Sequence, residues 1–144
     1  MSKQGFRVEL APTEEQRVRL GQHAGLSRLG ENFALERVKA ALDQRAAEQT
    51  YGIPEDELTL VPWSAPELES AWRVAHPDRF PWFVEAGLSS RVPKEACRVM
   101  AAGFRTFFDS RRGRRKGREV GFPSWRKREH GGPRSDHLRN HRRQ

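Results

Sequence analysis

Hydrophobic and polar positions alternate at the start of the chain and then change period. Phe6, Val8 and Leu10 alternate with Arg7 and Glu9, which predicts a β-strand with one apolar and one charged face. Ala11-Pro12 ends that strand, because proline cannot donate to a ladder and holds its predecessor extended. Thr13 with Gln16 three residues on is a capping-box pattern, and Glu14 and Glu15 put negative charge in the first turn. The pattern predicts a first helix over residues 13–24, anchored by Val18 and Leu20. Gly25 then supplies the backbone freedom for a turn. A second helix is expected over residues 27–48, with Leu26, Leu29, Phe33, Val38 and Leu42 along one stripe and Glu36 spaced to pair with Lys39. Tyr51-Gly52-Ile53-Pro54 stops it.

Residues 52–62 read as an acidic linker bounded by Pro54 and Pro62. Ser64 opens a third helix, with Pro66 in the first turn and Glu67 three residues from the cap. Its apolar stripe is Leu68, Ala71, Trp72 and Ala75, and His76-Pro77 is expected to end it. Phe80-Pro81-Trp82-Phe83 forms an aromatic knot that should be packed. A fourth helix is predicted over residues 90–109, with Pro93 in its first turn. Cys97, Met100, Phe104, Phe107 and Phe108 recur along one face, so this helix should be the centre of the core. The fold class expected is mainly α: an N-terminal strand followed by about four helices, with a basic, disordered carboxy-terminal tail.

Composition adds one division. The hydrophobic share is 35% and the charged share 32%, low and high for a packed domain. Residues 1–110 hold 14 Lys/Arg against 16 Asp/Glu, net −2, whereas residues 111–144 hold 13 against 3, net +10. The chain is therefore expected to divide into a near-neutral helical domain, residues 1–110, and a basic loop with tail, residues 111–144. One cysteine, Cys97, excludes an internal disulfide or a four-cysteine zinc site. With no apolar run of membrane-spanning length and no signal-peptide core, a reduced cytoplasmic compartment and no membrane partner are expected.

The candidate chemistry is cationic. Arg111, Arg112, Arg114, Arg115, Lys116 and Arg118 are interleaved with Gly113 and Gly117, which are expected to keep the loop mobile. Arginines offer bidentate donors to phosphate. Phe122, Trp125, Arg126, Lys127 and Arg128 follow, mixing aromatic faces with cations as single-strand binders do. The competing reading is a solvated loop that maintains solubility. Arg28 and Asn32 lie one helical turn apart. They either contact nucleic acid or do local work, with Asn32 bonding a backbone group and Arg28 pairing with Glu31 or Glu36. The five histidines have no HExxH or Cys-His spacing, and no Ser-His-Asp or phosphate-loop pattern occurs. No catalytic residue, metal or cofactor is expected.

Leu10-Ala11-Pro12-Thr13-Glu14-Glu15-Gln16, then Leu20, Gly25-Leu26-Ser27-Arg28 and Asn32-Phe33-Ala34-Leu35, resemble in order and spacing the amino-terminus of TnpB (OrfB-type) insertion-sequence proteins. That region is often labelled a helix-turn-helix of a transposase. Pro81-Trp82, Ser90, Ala96, Phe107-Phe108 and Gly121-Phe122-Pro123-Ser124-Trp125-Arg126-Lys127 extend the resemblance to about residue 128. Lys94-Glu95 departs from it, since many members carry glutamine there. The resemblance implies a strand belonging to a wedge-like barrel and helices forming a recognition lobe. In intact members these parts hold guide RNA, a short target-adjacent DNA motif and the heteroduplex, with sequence read by base pairing. A RuvC-like nuclease domain and a zinc ribbon would follow, and neither motif is in this sequence. The resemblance thus implies a truncated or frame-disrupted product that binds RNA or DNA without catalysis. The alternatives are an inactive transposon remnant and a competitor of a full-length nuclease for its guide. A literal helix-turn-helix reader needs an exposed recognition helix, and the balanced charge of residues 27–48 argues against one.

Overall fold

The computed structural model describes Gly5 and residues 11–128. The strand expected at Phe6–Leu10 and the tail beyond Arg128 lie outside the described residues. Within them the chain is mainly helical, with helices α1 (Glu14–Thr50), α2 (Ala65–Arg79), α3 (Trp82–Glu85) and α4 (Arg91–Arg111).

Helix α1 is one uninterrupted helix of 37 residues, roughly 55 Å long at 1.5 Å per residue. It starts where the capping box requires. The Gln16 N–H donates to Thr13 Oγ1 at 3.3 Å, and the Thr13 N–H donates to Gln16 Oε1 at 2.9 Å. The turn expected at Gly25 is absent. A glycine permits a turn but does not impose one. Its helical cost of about 1 kcal/mol is outweighed by burying the adjacent Leu26. The helix stops at Gly52, whose φ is +77°. There the Gly52 N–H donates to the Gln49 carbonyl and the Ile53 N–H to the Glu48 carbonyl, both at 3.1 Å. This is the paired arrangement of a Schellman stop.

The middle of α1 carries its buried face: Leu26, Gly30, Phe33, Ala34, Leu35 and Val38. Val18 and Leu20, expected as anchors, are more than half exposed, because nothing among the described residues packs over the first turns of α1. Helix α4 covers the middle of α1, with Ala96, Cys97, Met100, Ala101 and Phe104 turned inward and Phe104 fully buried. The close approach depends on Gly30, where an added Cβ would lie 2.9 Å from the Ala96 Cβ and 3.4 Å from the Pro93 Cα. Leu68 and Trp72 of α2 close the core from a third side.

Pro77 lies inside α2, which runs on to Arg79 instead of ending at His76. The donor that proline lacks would have served the carbonyl of Arg73, an exposed residue whose carbonyl water can reach. The aromatic knot is only partly packed. Phe83 is buried and Phe80 stacks on Trp72 at 5.6 Å, but Trp82 is 44% exposed. Residues 52–62 are a structured connection, with a 3-10 turn at Glu55–Glu57 and Leu58 buried. Glu48 accepts the Thr59 hydroxyl and N–H, and Arg45 meets Glu55 at 2.7 Å. The hydrogen bonds from Thr59, helped by Gln44, hold the Glu48 carboxyl below its usual value.

Candidate nucleic-acid interface

Helix α4 ends as α1 does. Gly113 has φ +70°, its N–H donates to the Ser110 carbonyl at 3.2 Å, and the Arg114 N–H donates to the Asp109 carbonyl at 2.9 Å. Gly113 is therefore a second Schellman stop that shapes the loop, and Gly117 takes a left-handed φ of +111° as well. Both glycines fix turns, where mobility was expected. The stop places Arg111 and Arg112 at the negative end of the α4 dipole, where cations are favoured.

The chain then returns to the helix it left. The Val120 N–H donates to Ser110 Oγ at 2.9 Å, and Glu119 comes within 3.6 Å of Arg111. Phe122 packs edge-on against Phe107 at 5.1 Å and against Phe104 at 5.7 Å. It is a core anchor and not the stacking face expected of it. Residues 111–119 thus form a loop pinned at both ends over the carboxy-terminal half of α4.

The loop's charges face solvent. Arg112, Arg114, Arg115, Lys116 and Arg118 are exposed, and none has a carboxylate within ion-pair distance among the described residues. Arg115 donates to the Arg118 carbonyl at 3.2 Å, bracing the loop from inside. Arg111 is engaged by Glu119 and lies 5.3 Å from the centre of the Phe107 ring.

The remaining candidates lie farther along the returning chain. Asn32 Nδ2 donates to the Arg126 carbonyl at 3.0 Å, and the Arg126 N–H donates to Asn32 Oδ1 at 2.8 Å. The Arg126 side chain turns to α1 as well, with Nε 2.9 Å from Glu31 Oε2, close enough for an ion pair but not aligned as a hydrogen bond. Asn32 and the backbone of Arg126 therefore satisfy each other. Trp125 is 47% exposed, and Lys127 and Arg128 are exposed. Arg28 is half-buried beside Gly25 and pairs with neither Glu31 nor Glu36, because Glu31 holds Arg126 and Glu36 holds Arg79 at 3.3 Å. Glu36 accordingly does not pair with Lys39.

Two residues that organise this face escape sequence inspection. Ser110 and Glu31 each secure the returning segment. The available signal is indirect: Phe122 is an apolar residue in a cationic run, and such a residue must be anchored somewhere. Among the described residues no cluster of potential metal ligands occurs, and no helix is long and apolar enough to cross a membrane.

Residues 1–46 match the family model for the helix-turn-helix domain of the OrfB/IS605 type. The amino-terminal region is an OrfB/IS605-type transposase region. No curated protein and no solved structure matches the chain significantly. In this OrfB/IS605-type region residues 14–46 run as one helix, so the turn of the family's label has no counterpart among them. The first stop is at Gly52, beyond the matched residues.

Proposed function

We propose that this chain is a nucleic-acid-binding module of an OrfB-type transposase, and that the pinned loop after α4 grips the phosphate backbone. One observation carries the reading: Arg112, Arg114, Arg115, Lys116 and Arg118 are exposed, without acidic partners among the described residues, on a loop fastened at both ends. A fastened loop loses little conformational freedom on binding, so more of each contact's energy is retained. Arginine forks match phosphate geometry, and these contacts fix position without reading bases. The unbroken α1 supports grip over base readout, since a helix-turn-helix reader sets a short recognition helix against a second across a turn. By the OrfB-type resemblance, the polyphosphate is guide RNA or the DNA beside its target.

Anisotropy titration of the full chain against labelled structured RNA and duplex DNA, repeated at several salt concentrations, tests this. If all five cations meet phosphates, the logarithm of affinity falls against the logarithm of salt with a slope of about −4. Binding that is absent, or insensitive to salt, contradicts the proposal.

A further inference from the structure

The returning segment presents one aromatic ring on a fastened backbone. Trp125 is 47% exposed, and among the described residues no other ring packs on it, whereas Trp63 meets Phe108 and Trp72 meets Phe33. Its neighbours are tied down on both sides. Phe122 is packed on Phe104 and Phe107, and Arg126 is held through both backbone groups by Asn32. The two residues after Arg126, Lys127 and Arg128, are exposed and without carboxylate partners among the described residues. Trp82 is also exposed, but it shares its short helix with Glu85, which disfavours a polyanion.

We propose that Trp125 is a stacking platform for an unpaired nucleobase, with Lys127 and Arg128 contacting the phosphates that flank it. This rests on the nucleic-acid reading of the loop and narrows it to a single-stranded stretch. Every base offers a π face, so the contact tolerates any sequence, but a base inside a duplex already spends its faces on its neighbours. The fastened backbone matters because the ring need not be ordered at the moment of binding. The site therefore discriminates by strandedness, and the cationic loop supplies the affinity common to single and double strands.

The test compares wild type, Trp125→Ala and Trp125→Phe in titrations against a labelled single strand, the same strand made abasic throughout, and its duplex, at one salt concentration. Trp125→Ala should weaken single-strand binding about tenfold, while duplex and abasic-strand binding change less than about twofold. Trp125→Phe should restore most of the loss, and thermal melts of the three proteins should coincide because the ring is on the surface. Equal losses on single strand and duplex, or no loss on either, overturn the proposal while leaving the loop reading standing. A wild-type protein that binds none of the probes overturns both.

Discussion

Asn32 and Arg126, separated by 94 positions, are joined by two reciprocal hydrogen bonds between one side-chain amide and one residue's backbone. This clasp uses the property that distinguishes asparagine from aspartate: one donor and one acceptor on the same fork. Asn32→Asp preserves the shape but sets a carboxylate oxygen against the Arg126 carbonyl. It should destabilise the fold by about 1–3 kcal/mol, the usual penalty for an orphaned polar group. Urea denaturation measures the loss, and the Arg126 amide should lose hydrogen-exchange protection before the α4 amides do.

The same glycine-to-alanine change should have opposite signs at two places in α1. Gly21 has open space around its would-be Cβ, so Gly21→Ala should stabilise by about 1 kcal/mol through helix propensity alone. At Gly30 the new methyl would collide with Ala96, 2.9 Å away on the facing helix. Overpacking of that kind costs about 1–3 kcal/mol and exceeds the propensity gain. Thermal melts should therefore rise for Gly21→Ala and fall for Gly30→Ala.

Phe104 is fully buried where α4 meets α1, and Phe122 leans on its ring. Phe104→Ala should cost about 3–5 kcal/mol by chemical denaturation, and should loosen the returning chain as well as the core.

Burial, then the negative charge of Glu69, pushes the Cys97 thiol from 9.0 up to about 11. The folded state therefore keeps its proton where the unfolded chain releases it. This group's contribution to stability is complete below pH 9 and is lost as pH rises from 9 towards 11. Glu48 has the opposite sign. Its carboxyl is lowered from 4.5, so its contribution is present above that pH and is lost as pH falls. A disulfide reagent at mildly alkaline pH should label Cys97 only after denaturation, and Cys97→Ser should flatten the alkaline limb of a stability profile.

Local signals in the sequence carried much of the fold. The Thr13–Gln16 capping box, the Gly52 stop, Pro93 in a first turn and the Cys97–Met100–Phe104 face all hold. Each is decided by residues within about one turn of one another. What was not legible depends on distant partners. Gly25 continues a helix because Leu26 beside it finds a core, and Val18 and Leu20 stay exposed because no described element covers them. Pro77 is tolerated in the last turn because the carbonyl it leaves unserved belongs to an exposed residue. The candidate site divides in the same way. The run of cations is plain in the sequence, but its fastening by Ser110, Phe122 and the Asn32 clasp joins segments that no local pattern connects.

The most direct test of the pinned cationic loop is the salt dependence of nucleic-acid binding in a variant with Arg112, Arg114, Arg115, Lys116 and Arg118 all replaced by alanine. These side chains are exposed, so the melt should match wild type. The logarithmic salt slope should become shallower by about 4 units if the loop grips phosphate. A variant that folds normally and keeps the wild-type slope would contradict the account.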